Sequence, residues 1–218
     1  MKFTKFIPVA LALTLAAVPT FAANTDTVET ELQLTNPEYF NITELAGAVK
    51  TATGIIAENA ETGVLSLSYT TPMSVTYRVV NNMKDKTFYV KAKAQGAGEC
   101  NAFGGAAVGS MKLVFANTAS GLVPTDAAIG NAAGASPAVE SNANAIAFSF
   151  TPGAIVKTQG TIADPTLNGN TELVYVAQPG TFQLPYTLGT APVSGTFSSH
   201  DGAGIYSATI IVTDVATP

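Results

Sequence analysis

One pattern recurs along this chain often enough to fix its fold class. Apolar and polar residues alternate with a period of two, in short runs separated by Gly, Pro and Asn. Side chains along a strand point alternately to opposite faces, so each run suits a strand with one buried face. The last run, residues 204–213, is the clearest. Tyr206, Ala208, Ile210 and Val212 share one face; Ile205, Ser207, Thr209, Ile211 and Thr213 share the other, behind Gly202 and Gly204. The same period marks 64–70, 73–80, 86–94 and 145–151, where Ile146, Phe148 and Phe150 alternate with Ala147 and Ser149. Shorter strands are predicted at 55–57, 111–116, 158–162, 171–177, 182–187 and 193–197. Roughly ten strands with regular turn signals predict an all-β protein, an antiparallel β-sandwich of Ig-like or pilin-like type.

The punctuation refines this picture. Residues 81–85 read as a turn that joins 73–80 and 86–94 into a hairpin. Asn168-Gly169 suits a tight turn because both residues tolerate positive φ. Pro185 lacks an N–H and so marks 182–187 as an edge strand. Asn41 followed by Glu44 resembles a helix start, with Ile42, Leu45, Ala46 and Val49 on one face, and predicts a short helix over 41–50. Residues 117–144 are rich in Ala, Asn and Gly and have little periodicity, which predicts a long exposed excursion.

The first 22 residues read as an export signal: Lys2 and Lys5, an apolar stretch, then Thr20 and Ala22 as small residues for cleavage. Residues 23–218 are then expected to form a single domain, located in the periplasm, at the cell surface or outside the cell. Without Lys2 and Lys5, 8 basic residues face 15 acidic ones, a net charge of −7, which argues against nucleic acid as a partner. No later stretch is long and apolar enough to insert in a membrane as a helix. Cys100 is the single cysteine, so no internal disulfide can form.

Residues that could carry chemistry are sparse. His200 stands in Ser198-Ser199-His200-Asp201, but working triads are assembled from distant parts of a chain, and a polar turn is the simpler reading. The run 164–170 resembles the opening of a calcium loop, yet its twelfth position is Tyr175 rather than an acid. Glu99 beside Cys100 offers none of the positive charge that activates a thiol. These readings predict no catalytic site, no metal site and no cofactor.

The two ends of the expected domain are more informative. In residues 26–35, Val28, Thr30, Leu32 and Leu34 point one way and Thr27, Glu29, Glu31 and Gln33 the other, an alternating strand that Asn36-Pro37 ends. The closing run 204–213 opens on glycine and tyrosine and then alternates Thr with Ile or Val. It resembles the final strand of secreted bacterial β-sandwiches of the spore coat protein U and archaic chaperone–usher pilin type. That resemblance implies an incomplete sandwich filled by the N-terminal strand of the next subunit. Val28, Thr30, Leu32 and Leu34 would be the donor side chains, and Tyr206, Ala208, Ile210 and Val212 would border the acceptor groove. The partners it implies are copies of the chain or related subunits and a periplasmic chaperone. The chain departs from the pattern in its lone cysteine and in residues 214–218, which continue past the last strand. Two placements of 26–35 follow from the residues: the first strand of the chain's own sheet, or a strand given to a neighbour. Two functions follow in turn: a non-enzymatic structural or adhesive surface protein, or a monomeric extracellular module that binds a ligand such as a glycan. A secreted hydrolase ranks last.

Overall fold

The computed structural model describes residues 31–94, 100–118 and 144–216. The expected export signal, Val28 and Thr30, and residues 119–143 lie outside the described residues. The chain divides into two compact units, Met1–Glu38 and Tyr39–Pro218. In the first unit, residues 31–38 form no strand, and Leu32 and Leu34 are exposed. The strand expected at 26–35 is therefore not formed over 31–35.

The second unit is all-β and sandwich-like. One twelve-stranded sheet folds over on itself. Its first layer runs in the order β1 (Phe40–Glu44), β4 (Ser74–Asn81), β13 (Gly180–Pro192), β9 (Ala145–Pro152) and β8 (Lys112–Asn117). The second runs β14 (Tyr206–Thr213), β5 (Lys86–Ala94), β12 (Glu172–Ala177) and β11 (Thr166–Asn168). Three short strands extend the margins: β6 (Cys100–Asn101) beside β5, β7 (Phe103–Gly104) beside β8, and β10 (Val156–Gln159) beside β13. A separate exposed hairpin is made by β2 (Ile55–Glu58) and β3 (Leu65–Ser68).

The alternation seen in the sequence does build the core. Phe88 and Val90 of β5 and Leu173 and Tyr175 of β12 face Phe148 and Phe150 of β9 and Phe182, Leu184 and Tyr186 of β13, all buried. Phe88 stacks on Tyr175 with ring centroids 5.1 Å apart, and Phe150 stacks on Tyr186 at 5.0 Å. The Tyr186 hydroxyl donates to the Tyr175 hydroxyl at 2.8 Å, which satisfies a polar pair inside the apolar space between the layers.

Four local expectations are corrected by tertiary pairing. No helix forms over 41–50: Phe40–Glu44 is β1, in register with β4 from Phe40↔Asn81 to Glu44↔Tyr77. The edge of β4 offers five residues a ladder and a core for Phe40, which outweighs a weak local capping signal. The 73–80 and 86–94 strands are not a hairpin, because β4 pairs with β1 and β13 while β5 pairs with β12, β14 and β6. Their connection crosses between the layers, held by buried Asn81, which donates to the Met83 carbonyl and accepts the Met83 N–H, both at 2.8 Å. Pro185 sits in a central strand, not an edge. Its β4-facing neighbours are fully paired, and its other side falls where β10 stops at Gln183 and β9 begins at Tyr186. Its carbonyl accepts the Gly153 N–H at that handover, so the missing donor faces a position where no ladder bond is made. Residues 193–197 form a turn rather than a strand; buried Thr196 Oγ donates to the Val193 carbonyl at 2.7 Å.

Candidate functional site

Among the described residues, β14 is the only strand that belongs to both layers. Its first two residues pair with β8, Tyr206↔Asn117 and Ser207↔Ala116. From Ala208 to Thr213 it pairs with β5 instead, on its opposite margin. Among the described residues, no strand pairs with the β8-side margin of β14 beyond Ser207. β14 is thus half-paired, and its apolar face is only half-buried at Ala208, Ile210 and Val212.

The point where β14 parts from β8 is fixed by a compact knot of polar groups. Asn117 donates its backbone N–H to the Asn144 carbonyl at 2.9 Å and its side-chain amide to the Gly202 carbonyl at 3.1 Å. Asp201 accepts the Asn144 and Ser198 N–H groups, both at 2.8 Å, and the Tyr206 hydroxyl donates to the Gly202 carbonyl at 2.8 Å. Burial raises the Asp201 carboxyl above its ordinary pKa, and these N–H donors pull it partly back. Gly204 permits the close approach: a Cβ there would lie 2.7 Å from Asn117 Oδ1. His200 and Ser198 are bound into the same turn, with the His200 N–H donating to Ser198 Oγ at 3.2 Å.

Beside the unpaired margin, the space between the layers opens as a groove of about 240 Å³. Ala208 and Ile210 form one wall. Leu113 and Phe115 of β8 and Leu188 of β13 line it, and Met73, Val75 and Tyr77 form the facing wall. The rim carries Glu44 and Lys50, paired at 2.6 Å. The Tyr77 phenol is pushed up to about 12 by burial and, secondarily, by the Glu44 charge. Seven of these side chains are hydrocarbon or thioether, so the groove suits apolar groups from an extended segment and offers little to a polar substrate.

The residues after β14 lean away from the groove. Lys86 of β5 holds the Asp214 carboxylate at 2.9 Å, and Lys91 of β5 donates to the Val215 carbonyl at 3.2 Å. That Lys86 bond holds the Asp214 carboxyl below the ordinary range. Lys86 also lies 4.8 Å from the centre of the Phe40 ring, which ties β1 to the same corner.

Of the residues singled out in the sequence, Tyr206 stands at the parting of β14 and β8, Ala208 and Ile210 line the groove, and Val212 packs at the core margin. The opposite wall was not legible beforehand. Val75 and Tyr77 were read as one side of a hairpin, and Glu44 and Lys50 as parts of a helix. Among the described residues, no group of three His, Cys, Asp or Glu could hold a metal ion, and no helix is long and apolar enough to cross a membrane. The chain matches no protein-family model, no curated protein and no solved structure.

Proposed function

We propose that this chain is an exported, non-enzymatic structural or adhesive surface subunit that assembles by strand complementation. A neighbouring copy lays its segment 26–35 along β14, with Val28, Thr30, Leu32 and Leu34 directed into the groove. The observation that carries this reading is the half-paired β14 beside an apolar groove. A strand margin with no described strand beside it can serve as a template for another strand, and alternate side chains of the added strand would cover the apolar groove. Leu32 and Leu34 are exposed and residues 31–35 form no strand, which supplies matching chemistry. The course of Asp214 and Val215 toward β5 removes the objection that the last residues would block the margin. A periplasmic chaperone would protect the same margin before assembly.

The test is a denaturing gel of unheated and boiled material from the exporting cell. Complementation predicts a ladder that boiling collapses to one band, and deletion of residues 23–36 abolishes it. Leu32→Asp with Leu34→Asp should weaken assembly at least a hundredfold, since each buried leucine contributes about 1.5–3 kcal/mol. A single band before and after boiling, from a folded chain, would favour the monomeric binding module instead.

A further inference from the structure

Asn168-Gly169 is the sole Asn–Gly step in the chain, and the fold sets it at an exposed hairpin tip. Asn168 ends β11 and stands opposite Glu172 of β12, with residues 169–171 as the loop between them. Gly169 and Asn170 take φ of 58° and 61°, in the left-handed region that glycine adopts without steric cost. A Cβ built on Gly169 would meet Thr171 Oγ1 at 3.8 Å, an ordinary contact, so the link after Asn168 is uncrowded on that side. The Asn168 side-chain amide donates to Glu172 Oε1 at 2.5 Å, and Glu172 is buried.

We infer that Asn168 is a site of spontaneous deamidation, and that its conversion to a carboxylate releases β11 from β12. Neither step depends on strand complementation. The Gly169 amide nitrogen gives its proton to hydroxide and attacks Asn168 Cγ. The new N–Cγ bond forms as the Cγ–Nδ2 bond breaks, and Nδ2 leaves as ammonia with a proton taken from water. Water then opens the succinimide ring. Attack at Cγ leaves aspartate at position 168; attack at the backbone carbonyl carbon leaves isoaspartate, with the chain routed through the former side chain. One water is consumed, one ammonia is released, and nothing is oxidised or reduced. Glycine favours the ring closure because no Cβ stands beside the attacking nitrogen. Every other Asn in the chain is followed by a residue with a side chain.

The structural consequence follows from the contact with Glu172. An amide that donates is replaced by an ionised carboxylate that can only accept. A buried carboxyl then loses its hydrogen bond and faces a like charge. Isoaspartate also lengthens the backbone by one atom and breaks the register. β11 holds to β12 through three residue pairs, Thr166↔Val174, Leu167↔Leu173 and Asn168↔Glu172, so the loss falls on a short ladder. Its release uncovers half-buried Leu167 and the margin of β12 from Glu172 to Val174, at the end of the second layer opposite β14. Aged protein thereby gains an open strand margin that fresh protein lacks.

The experiment incubates the purified full chain at neutral and mildly alkaline pH, then applies peptide mapping by mass spectrometry and amide hydrogen exchange. Position 168 should gain about one dalton, ahead of every other Asn and at a rate that rises with hydroxide concentration. In converted molecules, exchange at Thr166–Asn168 and Glu172–Val174 should rise about tenfold. Asn168→Asp, which makes the aspartyl product at once, should show the same rise. Asn168→Asp with Glu172→Gln should reverse it, because an amide donor again meets an acceptor. Retention of the amide at 168 in the folded chain, over a time in which the chain in denaturant converts, overturns the site. Conversion with unchanged exchange at β11 and β12 overturns the release.

Discussion

Tyr175 and Tyr186 show how a single pair of hydroxyls can be tolerated between two apolar layers. Each hydroxyl is the other's partner, and burial raises both phenols: Tyr175 to about 12, Tyr186 well above its ordinary value. A phenol whose folded pKa lies above its unfolded one favours the native state fully below the unfolded value, near 10. That contribution is lost as pH rises from about 10 through about 12, together with the parallel one from Tyr77. Thermal unfolding followed from pH 8 to pH 12 should show the midpoint falling only above pH 10, and Tyr77→Phe should reduce that fall. Both rings were legible in the sequence as members of short predicted strands, 171–177 and 182–187. Their meeting was not, because nothing local says that β12 and β13 lie in opposite layers.

At the scale of elements, periodicity located strands well and their neighbours poorly. The runs around Phe88, Phe148 and Tyr206 appear in the fold as β5, β9 and β14, since each needs only its own residues to declare a buried face. Hairpin pairing of β4 with β5 was a natural expectation from a five-residue turn, yet Asn81 folds its side chain back on Met83 and sends the chain across the sandwich. The same limit explains why one wall of the groove, β14, was readable and the wall of Met73, Val75 and Tyr77 was not: a groove is a relation between strands distant in sequence. Pro185 is the sharpest instance. A rule about donors placed it at an edge, while the fold gives it a central position between the β10 and β9 pairings. Pro185→Ala should therefore change unfolding free energy by less than about 1 kcal/mol, whereas Leu184→Pro, which removes a buried side chain, should prevent folding at ordinary temperature. Chemical denaturation of the two variants separates these outcomes.

Across the whole molecule, the fold class was legible because alternation and turn signals are dense, and the groove beside β14 was legible only in outline. The sandwich closes almost everywhere. Among the described residues it stays open along β14, whose β8-side margin has no strand beside it after Ser207. β14 holds β8 and β5 in turn, and the gap beside it begins where β14 and β8 part.

The knot around Asn117 has a further use. Its backbone bond to Asn144 joins the two ends of a 26-residue span, 118–143, at a distance of 2.9 Å. Loop closure grows only slowly more costly with length, so foreign sequence placed within that span should leave the host fold intact. A short epitope inserted midway should be displayed without loss of thermal stability beyond a few degrees. If the subunits do join end to end, such a graft would decorate the polymer at one copy per repeat, a scaffold for presenting cargo at regular intervals.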